Sequence, residues 1–213
     1  KKIVIIYLIK NSSCMKKNII IFGDSLVSCP QIKKRYRWIE LLKSKYSKKF
    51  NFKVFAYNGA TTDDALKKIN LILKNKSSFL SIIFFGVNDS VYYKSLKGKP
   101  RVNLKKFRSN LSKINNKISN KFKSKNVFII SHKFYRKRLE GNKKTHNFSY
   151  KNYRKIILKF CEKKKLGIID MFNYSKNLSS KALCHTDGLH LNNFGSKIYF
   201  KRISSYLDGE LND

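Results

Sequence analysis

The chain has 213 residues, 42% of them hydrophobic, which is enough for one ordinary domain with a sizeable buried core. Its 2 prolines and 9 glycines exclude collagen-like and Pro/Gly-rich classes, and its 4 dispersed cysteines argue against a disulfide scaffold. Lys and Arg total 48 against 12 Asp and Glu, a formal net charge of +36, yet the apolar content is too high for a disordered chain. We therefore expect a soluble and very basic globular domain.

The first fourteen residues resemble a signal peptide only in part. Two lysines precede the apolar run from Ile3 to Ile9, but seven residues is the lower limit for such a run and Lys10 interrupts it. Cys14 is a candidate for a lipid-modified cysteine, but Asn11 and Ser12 are poorly suited to the segment that precedes such a cysteine. We interpret residues 1–14 as an extension and residues 15–213 as the functional domain. A cytoplasmic location is the resulting expectation, with an exported form left open.

Apolar runs of strand length alternate with longer segments of helical period. Predicted strands cover Asn18 to Gly23, Phe52 to Tyr57, Leu80 to Phe85, Asn126 to Ser131 and Gly167 to Met171. Several of these runs are apolar without alternation, as expected for strands that are covered on both faces. No run approaches the roughly 20 apolar residues of a membrane-spanning helix.

Amphipathic stripes predict the intervening helices. The stripes run from Ala65 to Leu73, from Leu104 to Phe122, from Tyr150 to Phe160, and through Phe194, Ile198, Ile203 and Leu207. The first of these helices is opened by Thr61, Thr62, Asp63 and Asp64, which form a plausible cap with an acidic first turn. The order is a strand followed by a helix, repeated five times, which predicts an α/β fold with a parallel sheet between helix layers.

Candidate reactive residues follow the predicted strands. Ser25 follows the first strand, Gly59 the second and Asn88 the third, whereas Asp187 and His190 come after the fifth strand and before the last helix. The carboxyl ends of parallel strands share one edge, where ligands bind in such folds. Each residue alone has a simpler explanation as a cap or turn residue. Their joint occurrence on one predicted edge is the stronger signal.

Together these residues supply the parts of an acyl-transfer site. A serine hydroxyl is a weak nucleophile and needs a base, which His190 can provide, while Asp187 can orient the imidazole ring. The negative charge that develops on the attacked carbonyl oxygen needs preorganised donors. The backbone N–H groups of Ser25 and Gly59 and the side-chain amide of Asn88 are the candidates.

In order and spacing, the same positions resemble the four blocks of the SGNH, or GDSL-type, hydrolases. The blocks are GDSL at 23–26, Gly59, GVND at 86–89 and DGLH at 187–190. The resemblance implies Ser25 as nucleophile, His190 as base, Asp187 as its orienting acid, and Ser25, Gly59 and Asn88 as the oxyanion hole. It also implies a flavodoxin-like three-layer α/β/α sandwich with a five-stranded parallel sheet, with no metal and no cofactor.

A looser resemblance concerns the substrate. The stretches IIFFGVNDS and LCHTDGLHLNNFG are similar to the isoamyl acetate-hydrolysing esterase branch, which implies a serine esterase acting on small or short-acyl esters. A lysophospholipase or an acyl thioesterase is the alternative within enzymes. Tyr92 and Tyr93, in the segment after the Asn88 block, are candidate substrate-binding residues, although such aromatic residues often only pack a loop.

The charge has three interpretations. Lysines occur in nearly every block of ten and accompany abundant Asn and Ile, which is typical of an AT-rich genome. Proteins that read nucleic acids usually cluster their charge and use arginine. We therefore expect a small-molecule or lipid ester as the partner and no nucleic acid, and we leave open a weak association with an anionic membrane. A basic nucleic-acid-binding protein on a hydrolase-like scaffold is the alternative from another class.

Overall fold

The computed structural model describes residues 16–136 and 139–212. The predicted extension over residues 1–14 lies outside the described residues, so its status, the domain boundary at residue 15 and the cytoplasmic location stay predictions. In the described part of the chain, no helix has both the length and the apolar character needed to cross a bilayer.

Five parallel strands form one sheet in the order β2-β1-β3-β4-β5. The strands are β1 (Lys17–Gly23), β2 (Phe50–Ala56), β3 (Leu80–Phe84), β4 (Lys125–Ile130) and β5 (Gly167–Asp170). The predicted strands match these bounds to within two residues. Because helices cover both faces of the sheet, the predicted α/β fold is confirmed.

The helices between the strands follow the predicted alternation. They are α1 (Ser25–Ser28), α2 (Trp38–Lys45), α3 (Thr62–Leu73), α4 (Leu104–Phe122), α5 (His146–Lys164), α6 (Met171–Tyr174), α7 (Ser180–Leu183) and α8 (Asn193–Asn212). Helices α3, α4 and α5 pack side by side on one face, and α2 packs against α8 on the other. Short 3-10 turns at Lys34–Tyr36 and Lys94–Leu96 complete the connections.

The register of the sheet places the carboxyl ends of neighbouring strands at the same height. Gly23, the last residue of β1, pairs with Ala56 at the end of β2 and with Phe84 at the end of β3. On the other side of the sheet, Ile130 at the end of β4 pairs with Asp170 at the end of β5. The segments that follow the strands therefore leave the sheet at one edge, where their side chains can meet.

Local signals explain where the helices on the first face begin. The Thr61 side chain accepts from the Asp64 N–H, and the Asp64 carboxylate accepts from the Thr61 N–H, a capping box that opens α3 as predicted. Asn103 caps α4 by accepting from the Lys106 N–H. The middle of the predicted α4 stripe is buried, because Phe107, Leu111, Ile114 and Ile118 recur every three to four residues on the face against the sheet. Its first position is wrong, since Leu104 is 38% exposed.

The predicted stripe of α8 is wrong at its first position. Phe194 is 46% exposed and Ile198 is half-buried, whereas Ile203 and Leu207 are fully buried. In the first turn of α8, Gly195 instead packs directly against the backbone of Leu183. The contact is so close that a side chain at position 195 would collide with the Leu183 carbonyl oxygen. This close approach of α8 to α7 turns Phe194 outward.

The two glycines of α8 provide a matched test of that contact. We expect Gly195→Ala to lower the free energy of unfolding by about 1–3 kcal/mol, since the added methyl group overpacks α8 against the Leu183 backbone. Gly209→Ala should be neutral or stabilising by roughly 0.5–1 kcal/mol, because its methyl group meets nothing within 4 Å and alanine favours the helix. Urea unfolding of both variants measures the difference, and equal effects would contradict the proposed packing of α8.

Candidate functional site

Ser25 stands at the start of α1, directly beyond the end of β1. The Asp24 side chain caps this short helix, with its Oδ1 atom accepting from the Leu26 N–H at 2.9 Å. Cys29, at a φ of 46°, ends the helix and donates its N–H to the Ser25 carbonyl at 2.9 Å. A side chain at Gly23 would lie 2.8 Å from the Phe84 carbonyl oxygen, so glycine lets β1 pass close to β3 just before Ser25.

Asp187 and His190 lie on one tight turn between α7 and α8. The Asp187 Oδ1 atom accepts from the Leu189 and His190 N–H groups, each at 3.0 Å. Gly188 adopts a φ of 71°, which a residue with a side chain rarely adopts. The turn is closed by a hydrogen bond from the His185 N–H to the His190 carbonyl at 2.7 Å. The local hydrogen bonds therefore place both side chains on the same side of the turn.

The structure brings this turn against Ser25 across 165 residues of sequence. The His190 Nε2 atom is 2.9 Å from Ser25 Oγ, and its Nδ1 atom is 2.5 Å from Asp187 Oδ2. Partial burial raises the pKa of Asp187, but hydrogen bonds from the His190 ring and from the Leu189 and His190 N–H groups outweigh it and lower the pKa to about 2. Asp187 is therefore a carboxylate at neutral pH, an acceptor for the Nδ1 hydrogen of the ring.

Residues that the motifs did not reveal hold the turn from outside. The Tyr135 N–H donates to the Gly188 carbonyl at 3.1 Å, and the Tyr135 hydroxyl donates to the His185 carbonyl at 2.6 Å. The Arg136 Nε donates to the Asp187 carbonyl at 3.1 Å. These contacts come from the loop between β4 and α5. No local pattern signals them, since they depend on two loops meeting in space.

The residues predicted for the oxyanion hole also lie at this edge. Gly59 is exposed at a φ of 70°, and nothing lies within 4 Å of the position where a side chain would begin. Asn88 Nδ2 donates to Asp24 Oδ2 at 3.0 Å and to the Ala60 carbonyl at 3.1 Å. An amide nitrogen has two hydrogens. Donation from Asn88 to a third acceptor therefore requires that one of these contacts be shared or given up.

Tyr92 and Tyr93 line a cavity beside the Asp187 turn. The cavity has a volume of about 150 Å³ and is lined by Val91, Tyr92, Tyr93, Lys94, Arg136, Leu139, Glu140 and Gly141. The wall is held together by the Gly141 N–H, which donates to the Tyr92 carbonyl at 2.7 Å, and by the Tyr92 N–H, which donates to a Glu140 carboxylate oxygen at 3.2 Å. Because Arg136 contacts Asp187 and also lines the cavity, the two features are neighbours.

Comparison with known proteins identifies the family. The family model described as GDSL-like Lipase/Acylhydrolase matches residues 19–203. The chain belongs to this family. It is 26% identical to the GDSL esterase/lipase CPRD49 of Arabidopsis thaliana over 86% of this chain and 75% of that protein. It is 27% identical to the GDSL esterase/lipase WDL1 of Oryza sativa subsp. japonica over the same shares.

Solved structures show the same fold. The lipase/acylhydrolase from Enterococcus faecalis superposes with a TM-score of 0.72 at 22% identity, covering 91% of this chain and 96% of that one. The esterase EstA from Pseudoalteromonas sp. gives a TM-score of 0.71 at 19% identity, with 93% of this chain and 100% of that one covered. Family membership makes this protein a hydrolase of ester bonds. Its assignment to the isoamyl acetate-hydrolysing branch stays a prediction.

Two further carboxyl groups of this GDSL hydrolase are buried beneath the site. Burial raises the pKa of Asp24 to about 7, and hydrogen bonds from Leu26 and Asn88 offset only part of that effect. Burial also raises the pKa of Asp89 to about 6, although its Oδ1 atom accepts from the Thr62 N–H and hydroxyl at 2.9 and 2.5 Å. Both groups therefore bind protons more readily than exposed aspartates, and both flank Asn88.

Four cysteines and four histidines raise the question of a metal. Among residues 16–136 and 139–212, no three His, Cys, Asp or Glu side chains are placed to hold an ion together. His132 is fully buried between Tyr199, whose hydroxyl is 2.9 Å from Nδ1, and Cys184, whose sulfur is 3.1 Å from Nε2. This buried histidine supports the turn from below.

His146 supports the Asn88 segment of the GDSL hydrolase in a comparable way. Its buried ring places Nε2 at 3.0 Å from the Val87 carbonyl and at 3.1 Å from the Ser90 hydroxyl. Burial lowers the pKa of His146 to about 4, although the contact with Val87 acts in the opposite direction. The folded protein therefore keeps this ring neutral at a pH at which the unfolded chain has already gained a proton.

That difference predicts a loss of stability in acid. Between the ordinary histidine pKa of 6.5 and the folded value of about 4, only the unfolded state binds the proton, so stability falls as the pH falls through this window. From pH 7 to pH 5 we expect the wild type to lose about 2 kcal/mol more than His146→Gln, which has no ring to protonate. Urea unfolding of both proteins at the two pH values tests this. Equal losses would mean that His146 is charged in the folded protein.

Proposed function

We propose that this hydrolase is a serine esterase that transfers an acyl group to Ser25 and then to water. The observation that carries the proposal is the continuous contact from Ser25 Oγ through the His190 ring to Asp187, with heavy-atom distances of 2.9 and 2.5 Å. Because Asp187 accepts from Nδ1, the neutral ring carries its hydrogen there and leaves Nε2 free to accept the serine proton. This is the arrangement that a weak hydroxyl nucleophile requires.

In the first step, a bond forms between Ser25 Oγ and the carbonyl carbon of the ester while the Oγ proton passes to His190 Nε2. The carbonyl π electrons move to oxygen and produce a tetrahedral oxyanion. Asp187 stabilises the imidazolium ion that results. When the carbon–oxygen bond to the alcohol breaks, His190 returns its proton to the leaving alkoxide, and the acyl group stays on Ser25.

In the second step, His190 takes a proton from water as the water oxygen attacks the acyl carbon. The second tetrahedral intermediate collapses, the bond to Ser25 Oγ breaks, and the proton on His190 returns to the serine. The products are a carboxylic acid and an alcohol. Each step uses side chains of this chain and needs neither a metal nor a cofactor.

The oxyanion hole is assigned to the N–H groups of Ser25 and Gly59 and to Asn88. The exposed backbone of Gly59 supports close approach of the developing oxyanion. For Asn88, the contact to the Ala60 carbonyl is the one we expect to weaken, because the Asp24 carboxyl also anchors α1 and holds the amide in place. A donor freed only as the negative charge develops stabilises the transition state more than the bound ester, which raises the turnover rate.

We expect the enzyme to prefer esters whose acyl or alcohol group is short. The cavity beside the site has a volume of about 150 Å³. Pockets for drug-sized ligands span about 300–1,000 Å³. We assign Tyr92 and Tyr93 to this cavity as the residues that limit the length of the group it accepts. Longer acyl chains, as in a lysophospholipid or a fatty acyl thioester, would have to lie outside it.

Two serines of α1 provide a test of the nucleophile. We expect Ser25→Ala to lower kcat on p-nitrophenyl acetate by about 10³-fold or more, because no other group replaces the attacked hydroxyl. Ser28→Ala is the matched control, since its hydroxyl contacts the Ser25 carbonyl at 3.4 Å and Asn58 at 2.6 Å but does not contact Ser25 Oγ. It should retain wild-type activity.

The same assay, run over p-nitrophenyl esters from C2 to C12, also tests the acyl preference. Activity highest at C2 to C4 is the expected profile, and a maximum at C8 or beyond would overturn the short-acyl assignment without affecting the nucleophile. Full activity in Ser25→Ala, or no turnover of any ester by the wild type, would contradict the mechanism itself.

The donor role of Asn88 predicts a separate signature. Asn88→Ala should lower kcat by about 10²–10³-fold with little change in KM, because the lost hydrogen bond forms mainly in the transition state. Asn116→Ala, which removes an exposed amide in the middle of α4, should leave both constants unchanged. A rise in KM at constant kcat for Asn88→Ala would instead indicate a residue that binds the ground-state ester.

A further inference from the structure

Several large apolar side chains are exposed at the edge that carries the site. Tyr93, Leu139 and Phe148 are 51%, 56% and 59% exposed. Tyr93 lies in the loop after β3, Leu139 in the loop after β4, and Phe148 in the first turn of α5, so all three follow the carboxyl ends of strands. Isolated exposed apolar residues need no explanation, but several together mark a contact surface.

These three side chains belong to one continuous rim. Tyr93 and Leu139 line the same cavity, and the loops that carry them are joined by the hydrogen bond from Gly141 to Tyr92. Leu139 forms a bridge with Thr145, which caps the helix that contains Phe148. Exposed Leu104 and Phe194 occupy the first turns of α4 and α8 at the same edge.

Exposed cations are interspersed with these apolar groups. Lys94, Lys133 and Lys144 lie on the same two loops and are exposed, and the Lys144 ammonium sits 5.5 Å from the centre of the Phe148 ring. We call Tyr93, Lys94, Lys133, Leu139, Lys144 and Phe148 the basic rim. Interspersed lysines and large apolar groups are typical of surfaces that insert into the headgroup region of an anionic bilayer.

The acids of this edge do not oppose the charge. Asp24 and Asp89 are buried, and Glu140 is half-buried with an oxygen bonded to the Tyr92 N–H. Asp63 and Asp170 are paired with Lys106 and Arg154 at 2.7 and 3.0 Å. Asp64 accepts from the Thr61 N–H and hydroxyl, and Asp187 is bonded to His190. The exposed carboxylate of Glu162 lies at the opposite end of the molecule, near the end of α5.

We infer that the basic rim docks this protein on the surface of a bilayer containing anionic phospholipids, with the proposed active site facing the lipid. The lysines supply the attraction, which acts on any face of so basic a protein. The apolar side chains decide the orientation, because they are removed from water only when this edge of the protein faces the bilayer and they are buried among the headgroups. The aliphatic Leu139 and Leu104 favour a lipid surface over single-stranded nucleic acid, since they have no ring to stack on a base.

Vesicle binding tests the docking directly. Ser25→Ala is used as the background so that no lipid is hydrolysed, and co-sedimentation is measured with phosphatidylcholine vesicles with and without 30% phosphatidylglycerol. We expect binding only to the anionic vesicles, weakening as salt increases. Leu139→Ser with Phe148→Ser should reduce the partition coefficient at least tenfold. Lys94→Gln, Lys133→Gln and Lys144→Gln should together reduce it about 100-fold, roughly fivefold for each lysine.

Matched substitutions at the opposite end separate orientation from total charge. Leu71→Ser removes an apolar side chain that is 45% exposed in the last turn of α3. Lys117→Gln, Lys121→Gln and Lys163→Gln remove three exposed lysines near the ends of α4 and α5. Both controls should bind anionic vesicles within about threefold of the background protein, because a charge more than a Debye length from the surface, about 10 Å at 0.1 M salt, is screened. Thermal unfolding verifies that each variant is folded.

The inference is overturned if the anionic vesicles are not bound, if the controls weaken binding as much as the rim variants, or if duplex or single-stranded DNA is bound and vesicles are not. The inference goes beyond the proposed esterase activity and fails separately from it. Vesicle binding is measured on a protein without its nucleophile, whereas hydrolysis of p-nitrophenyl acetate needs no vesicle.

Discussion

The parallel register of the central strand, β1, is the constraint on which the site depends. Gly23 pairs with the last residues of β2 and β3, so the residues that follow these three strands leave the sheet at the same height. Ser25, Gly59 and Asn88 are therefore neighbours although 63 residues separate the first from the last. A shift of β1 by one residue against β3 would move Ser25 along the strand direction by about 3.3 Å and end its contact with the turn of His190.

Asp24 turns this register into a rigid arrangement. One of its carboxyl oxygens caps the helix that begins with Ser25, and the other accepts from the Asn88 amide. A buried carboxyl group is unfavourable unless its oxygens are hydrogen-bonded. Its raised pKa shows that burial still dominates, since hydrogen bonds alone would lower the pKa. The molecule thus uses one unfavourably buried group to hold the proposed nucleophile and oxyanion donor at a fixed separation.

The large positive charge has little part in the proposed chemistry at the site. The residues assigned to the reaction are a serine, an aspartate, a histidine, an asparagine and a glycine. Lysines cover both ends of the molecule, from Lys94 and Lys144 beside the site to Lys121 and Lys163 at the opposite edge. An even coat of charge attracts anions without orienting them. What distinguishes the end that bears the site is the exposed apolar side chains among its lysines.

The fold class and the positions of the candidate site residues follow from local patterns in the sequence. Strand-length apolar runs and helical stripes are local patterns, and they predicted the alternation of strands and helices because burial on one or both faces imposes a period on the sequence. Where packing between elements decides, the patterns were insufficient: Phe194 fits the α8 stripe but points outward because Gly195 sets the contact with Leu183. The contacts of Tyr135 and Arg136 with the Asp187 turn, the two contacts of the Asn88 amide, and the meeting of Tyr93 and Leu139 at one cavity are visible only in the folded chain. These are contacts between loops that are distant along the chain, and no local period of the sequence records them.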